Sequence, residues 1–360
     1  MQRVTIIGLG LIGGSIGLGL RRWSSQNAKG GDDALEITGF DTDLEQQSFA
    51  KKINAVDKTE WNLINAVKNA DIIIVSIPVL ASREIFTDIA PHLKSGAVVT
   101  DVGSTKAQVL AWADEILPRT VSFIGGHPMA GKAQSIEAAE ADLFKGATWC
   151  VCPSVHAGEE AIRNVLGIIA AVGAEPYFVD PNEHDAFVAG VSHLPFVLSA
   201  AMMRAVSTDG SWRDMKTLSA TGFRDITRLA AGSPAMHRDI VITNREAVGR
   251  WLDTYIAHLQ EVRDHVASDA EDAPEKLLAF FDQARDARAE WSTQTNREGE
   301  LLQSTESELN SAGNISDQLG RMLFGGLGRG RKNLLDRDRG VSSRGGANGA
   351  GKDPKKPVRR

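Results

Sequence analysis

The sequence predicts a doubly wound α/β domain over residues 1–181, an all-α domain over 182–310 and a disordered basic tail over 311–360. Apolar strand-like runs alternate with helical stretches as far as Pro181, which is the pattern of β-α-β units. Beyond Pro181 the strand runs stop and long helical stretches take over. After about Asn310 the chain turns rich in Gly, Arg and Lys, a composition that cannot bury enough apolar surface to fold alone.

Seven segments read as strands: "RVTIIG" (3–8), "EITGFD" (36–41), "ADIIIVSIP" (70–78), "GAVVTDVGS" (96–104), "SFIGGHP" (122–128), "TWCVCP" (148–153) and "EPYFVD" (175–180). Several are apolar throughout, as strands covered on both faces must be, so a parallel sheet with a less regular later edge is expected. Helical spacing spans 44–53, 81–93 and 105–117 between them. In the second domain helices are expected over 184–206, 211–231, 234–266 and 273–309, with Gly222 and Pro234 marking breaks. Helices without a sheet bury apolar stripes against another subunit, so a homodimer is expected.

Composition narrows the function classes. The 360 residues, 42% of them hydrophobic, suffice for two cores. Residues 320–360 carry 12 Lys and Arg against 3 Asp, a net of +9 in a chain of net −6, and the acidic body that remains argues against nucleic acid as the main partner. The apolar run 6–20 is short, studded with glycine and followed by Arg21 and Arg22 without a cleavage site, so neither a spanning helix nor a secretory signal is expected. The chain reads as cytoplasmic. Cys150 and Cys152 share a strand face at a spacing that fits no zinc site, and are expected to be reduced buried thiols with no metal.

"GLGLIGG" puts Gly8, Gly10 and Gly13 in G-x-G-x-x-G after the first strand and at the opening of a helix. Glycines there let Gly8, Leu9, Gly10, Leu11, Ile12 and Gly13 approach a pyrophosphate, whose charge meets the helix N-terminus. Asp41 ends the second strand, where a carboxylate accepts from the adenosine ribose and repels a 2′-phosphate, so NAD is expected over NADP. The gap from Gly13 to Asp41 exceeds the usual one of about 20 residues. The polar piece "SSQNAKGGDD" reads as a surface insertion that lengthens it.

Ligands of such sheets sit beyond the carboxyl ends of the strands. Three exits stand out: Ser76-Ile77-Pro78, Asp101 to Lys106, and Gly125-Gly126-His127-Pro128. Ser104, before "TKAQVL", also suits a helix N-cap. A neutral His127 at this edge can take a proton from a substrate hydroxyl as hydride leaves the same carbon.

Together, "GLGLIGGSIG", "DVGSTK", "GGHPMAGK", "HDAFVAGVSHLP" and "GFRDITRLA" resemble the prephenate dehydrogenase family, the TyrA-type enzymes that include arogenate dehydrogenases. The resemblance runs from Arg3 to about Leu309. It implies a Rossmann-type NAD-binding domain, a helical dimerisation domain, a cleft between them and oxidative decarboxylation of prephenate to 4-hydroxyphenylpyruvate in tyrosine biosynthesis. It also implies that His127 is the catalytic histidine, bonded to the ring hydroxyl, and that Ser104 bonds the same hydroxyl and orients the histidine. Arg228 matches an arginine that grips a substrate carboxylate in a planar fork; an ion pair with Asp225 is the other reading of its position. His193 matches a cleft histidine beside the kink at Pro195, and Arg224 adds positive charge to the substrate side. For His184 and Asp185 a structural role is expected, Asp185 at the positive end of its own helix and His184 packed at the domain junction.

Two positions depart from the family pattern: Phe196 where many members have histidine after "SHLP", and His237 where many have tryptophan after "SPM". Both bear on recognition, so arogenate is the alternative substrate. A β-hydroxyacid dehydrogenase would need a lysine in 184–203, which has none. A non-catalytic NAD sensor would not be expected to retain Ser104, His127 and Arg228. Residues 310–360 read as too polar for an appended ligand-sensing domain, so inhibition by tyrosine would have to act at the active site.

Overall fold

The computed structural model describes residues 2–27, 35–132 and 134–311, with side chains through 293. Eight strands form one sheet: β1 (Gln2–Ile7), β2 (Leu35–Phe40), β3 (Lys58–Thr59), β4 (Ile72–Val75), β5 (Val98–Asp101), β6 (Ser122–Pro128), β7 (Thr148–Pro153) and β8 (Glu175–Phe178). Their order is β3-β2-β1-β4-β5-β6-β7-β8. All pairings are parallel except β6 with β7. The seven expected strands are present. The eighth, β3, is two residues long and leaves no periodic trace.

The apolar run of β4 shows why the strands do not alternate with polar residues. Ile72 and Ile74 point into one core with Ile16, Leu20 and Ile168, whereas Ile73 and Val75 point into another with Phe86, Val109 and Phe123. The first core lies under α1 (Leu11–Asn27) and α6 (Glu159–Ala171). The second lies under α4 (Ser82–Ile89) and α5 (Ala107–Ile116), and α2 (Leu44–Lys52) and α3 (Leu63–Val67) complete the layers. At the far edge β8 is exposed and carries Pro176, a residue that cannot donate to a further strand.

The chain then becomes all helical: α7 (Pro181–Val188), α8 (Leu194–Ser207), α9 (Trp212–Met215), α10 (Thr221–Thr227), α11 (Pro234–Thr243), α12 (Arg245–Ala267) and α13 (Ala273–Ser311). The Asp180 carboxylate caps α7 by accepting from Asn182 and Glu183 N–H, with Pro181 in the first turn. Where Pro195 removes a backbone donor the helix does not stop; Ala189–His193 widens into a π-turn and α8 continues. The stretch Pro181–Ser207 is long and apolar enough to cross a membrane by length and composition, yet it carries the buried His184, Asp185 and His193. The expected helix 211–231 is four short pieces, and 234–266 divides at Asn244. Of the expected surface insertion 24–33, residues 24–27 belong to α1, and 28–33 lie outside the described residues, as does the tail from 312.

Under the sheet's ligand edge sits a buried ion pair. Lys106 Nζ, with a side chain 0% exposed, pairs with Asp101, 2% exposed, and donates to Gly126 C=O at 2.6 Å. Asp101 in turn accepts from Gly126 N–H at 3.1 Å and Gly103 N–H at 2.9 Å. The peptide groups on both sides of Gly126 are thereby tied down immediately before His127. Lys106→Met should lower unfolding stability by about 3–5 kcal/mol, because it leaves the Asp101 charge buried and uncompensated. Arg3→Met, which breaks an exposed pair with Glu36, should cost no more than about 1 kcal/mol. Urea unfolding of the two variants checks the contrast.

Candidate functional site

β1, β4, β5 and β6 run parallel, so Gly8, Ser76, Ser104 and His127 all leave the sheet at the same edge, with the crevice between β1 and β4 at the point where strand order reverses. Gly8 has φ +91°, and a Cβ on it would lie 2.1 Å from Ser76 C=O. A Cβ on Gly13 would lie 2.0 Å from Gly8 C=O. Those two glycines let turn, strand and helix touch. Gly10 differs, because nothing lies within 4 Å of a Cβ placed there. The bare backbone at Gly10 faces open space at the start of α1, whose first N–H groups have no acceptor within the helix. This is a cradle suited to a pyrophosphate.

Asp41 leaves β2 beside it. One of its oxygens accepts from Leu9 N–H at 2.7 Å and the other from Asp43 N–H at 2.9 Å. The carboxylate expected at the ribose therefore also fastens the glycine turn, and each oxygen keeps a lone pair to accept from a hydroxyl. Ser76 follows β4, its N–H bonded to Ile7 C=O at 2.7 Å. Ile77 and Pro78 lead into a 3₁₀ turn, Val79–Ala81, against which α11 packs.

His127 is 7% exposed at the end of β6, opposite Cys150 of the antiparallel β7. Its Nδ1 lies 2.9 Å from His184 Nε2, with the rings edge to face. His184 Nδ1 lies 2.8 Å from Asp185 Oδ1. His184 and Asp185, for which a structural role is expected, are buried directly behind the candidate catalytic ring. Asp185 lies past the first turn of α7, which Asp180 caps, and serves another helix. It accepts from Lys106 N–H at 2.7 Å and Ala107 N–H at 3.0 Å, at the start of α5. That corrects the reading of Ser104 as the N-cap of this helix, which begins at Ala107 with no local side-chain cap. No hydrogen bond joins Ser104 to His127 among the described residues, and the ring is oriented by His184.

His193 is fully buried at the end of the π-turn. Its Nδ1 is 3.2 Å from Asn244 Nδ2, which also donates to Asp185 C=O at 2.7 Å, and the Ser104 backbone lies against the ring. A further bond, Thr105 Oγ1 to Thr243 Oγ1 at 3.0 Å, joins the exit of β5 to α11. Ser104 is thus flanked by residues that the helices grip. Arg224 and Arg228 are exposed on α10 and the turn after it, and the ion pair of Arg228 with Asp225 does not form among the described residues. The two departures from the family pattern meet: Phe196 and His237 stack with centroids 4.1 Å apart and planes at 4°, and Phe196 is 6.0 Å from the His193 ring. Cys150 and Cys152 are free and buried, with burial pushing Cys152 up to about 12. No metal-binding cluster occurs among the described residues.

Asn244 and the Lys106 side chain carry no local signal for a place beside His127. His184-Asp185 lies inside a quoted motif, and its nearness to His127 depends on a contact 57 residues long.

Comparison with known proteins places this geometry. The family profile "Prephenate dehydrogenase, nucleotide-binding domain" matches residues 27–178, and "Prephenate dehydrogenase, dimerization domain" matches 180–283. The prephenate dehydrogenase of Bacillus subtilis (strain 168) is 33% identical over 288 residues, covering 79% of this chain and 75% of the relative. The crystal structure of prephenate dehydrogenase from A. aeolicus in complex with hydroxyphenyl propionate and NAD+ superposes with a TM-score of 0.72 at 28% identity, covering 81% of this chain and 98% of that one. Synechocystis arogenate dehydrogenase gives 0.65 at 27% identity, covering 81% and 100%.

Burial holds His127 well below the ordinary histidine range, helped by the neighbouring His184 and the Lys106 charge. Burial likewise lowers His193 to about 4, against a partial opposing pull from Asp185. Both rings are therefore neutral in the folded protein at pH values where an unfolded chain, with histidines near 6.5, takes up protons. In that window the unfolded state binds more protons, so stability falls as pH falls from about 6.5 toward 4. The urea midpoint should be lower at about pH 5 than at about pH 7.5, and His193→Asn should flatten part of the drop. A midpoint unchanged between the two would contradict neutral burial.

Proposed function

The chain belongs to the prephenate dehydrogenase family and is an NAD-dependent oxidoreductase, and on that premise we propose that it oxidises and decarboxylates prephenate to 4-hydroxyphenylpyruvate with His127 as proton acceptor. The observation that carries this is a buried, neutral imidazole at the strand exit beside the nucleotide cradle, held by a second ring on its far side. In this reading His127 takes the proton of the ring hydroxyl and returns it to the phenolate oxygen once carbon dioxide has left, so the residue ends the cycle as it began. When bound, NAD supplies the oxidised nicotinamide that accepts hydride from the ring carbinol carbon. Gly8, Leu9, Gly10, Leu11, Ile12 and Gly13 cradle its pyrophosphate, Asp41 accepts from its ribose, and Ser76, Ile77 and Pro78 line the crevice.

Ser104 bonds the substrate hydroxyl. Arg228, exposed and with no ion pair among the described residues, grips a substrate carboxylate, with Arg224 adding positive charge. His193 acts from behind, through the Ser104 segment. The division is taken as 1–181, 182–310 and 311–360, and the protein as a cytoplasmic homodimer. Exposed apolar residues of α12 and α13, such as Ile256, Leu259, Leu278 and Phe281, support the dimer.

Arogenate is the second reading, favoured by the Phe196–His237 stack. Burial lowers the His237 pKa, and a neutral imidazole there can accept from the ammonium group of arogenate. Steady-state kinetics with each substrate and with NAD and NADP test the assignment; prephenate with NAD is expected to give the highest kcat/KM. His127→Asn should lower kcat by about 10²-fold or more. Arg228→Ala should act mainly by raising KM. A His127 variant within about threefold of the parent enzyme would remove the proton-transfer role, and an unchanged KM in the Arg228 variant would remove its carboxylate role.

A further inference from the structure

We propose that Asp185 and His184 are positioning residues that fix the tautomer of His127, placing its proton on Nδ1 and its lone pair on Nε2, the nitrogen left free for substrate. The inference rests on the reading of His127 as proton acceptor and adds to it the reason the acceptor nitrogen is available.

Asp185 sets the first constraint. Its carboxylate has three hydrogen-bond contacts: Lys106 N–H at 2.7 Å, Ala107 N–H at 3.0 Å and His184 Nδ1 at 2.8 Å. The two backbone groups are the N-terminal N–H groups of α5, where the helix dipole favours an anion. An ionised carboxylate has only acceptors to offer, so His184 Nδ1 must carry a hydrogen. A neutral His184 then presents a bare Nε2. That atom lies 2.9 Å from His127 Nδ1, so the second contact requires a proton on His127 Nδ1. The first constraint is thus passed through two rings, and His127 Nε2 is left as an acceptor.

A neutral histidine free in water prefers the opposite tautomer, with hydrogen on Nε2, which cannot take a substrate proton. The relay inverts that preference. The inverse arrangement needs a second proton on His184, whose ring is 1% exposed. Asn244 supports the neutral relay by fixing the Asp185 backbone carbonyl. Asp185→Asn removes the charge that holds a proton on His184 Nδ1, and an amide N–H turned to that nitrogen displaces the Lys106 N–H bond that shares Oδ1. Both rings then reverse, and the proton moves to the nitrogen that faces substrate.

Nitrogen-15 NMR of the histidine-labelled wild-type protein at neutral pH, with His127 assigned against His127→Asn, should show a protonated Nδ1 and an unprotonated Nε2 on His127. A proton on His127 Nε2 would overturn the proposal. Asp185→Asn should lower kcat by about 10²-fold or more while KM for NAD stays within about threefold. His184→Phe, which leaves the Asp185 bonds to α5 intact, should return His127 to the Nε2–H tautomer and lower kcat at least about tenfold. Either variant with kcat within about threefold of the parent enzyme would count against the relay. The NMR readout needs no substrate, so it stands apart from the choice between prephenate and arogenate. Absence of wild-type turnover with both substrates would refute the proposed function and leave the tautomer test in place.

Discussion

The carboxylate of Asp185, set on the first N–H groups of α5, is the contact on which the rest of the site depends. It belongs to the helical half of the chain, yet its partners are backbone groups of the nucleotide-binding half, 79 residues away in sequence. A buried carboxylate is costly unless its oxygens are satisfied. Here two backbone donors and one ring nitrogen satisfy them, and charge-assisted bonds of this kind are the strong ones. The same residue that donates its N–H to Asp185, Lys106, sends its ammonium to Asp101 and to Gly126 C=O. One lysine therefore links the helical domain, the end of β5 and the end of β6, and His127 stands where those links converge.

This arrangement explains why the exit of β5 needs no local cap. Ser104 is free of a capping role because the helix after it is capped from outside, by Asp185. Thr105 is bonded to Thr243, and Asn244 joins Asp185 to His193. The π-turn Ala189–His193 belongs to the same design: Pro195 interrupts the regular bonding, and the widened turn ends at His193, whose ring lies buried among these contacts. Closing the junction in this way also excludes water from His127, which is what keeps the imidazole neutral.

Much of this was legible in the sequence, for identifiable reasons. The glycine turn could be read because Gly8, Gly10 and Gly13 answer to local geometry, and the strands because Ile72 to Val75 must be apolar on both faces. His127 could be placed at the ligand edge because it ends a strand run. The capping of α5 was misread, since the rule applied to Ser104 considers only residues adjacent in sequence while the actual cap comes from Asp185. Phe196 and His237 looked like two separate departures, 41 positions apart in the sequence. Only the fold shows that they stack into one aromatic pair, so a change at either one is a change to both. β3 escaped notice because two residues carry no period.

Besides its hold on α5, Asp185 acts on the chemistry through the ring of His127. A double-mutant cycle on kcat, combining Asp185→Asn with His127→Asn, tests it most directly. With His127 already removed, the tautomer constraint has nothing left to act on, so the double variant should be no slower than His127→Asn alone, within about threefold. Losses that multiply across the two sites would contradict it, showing that Asp185 serves the enzyme by a route independent of His127.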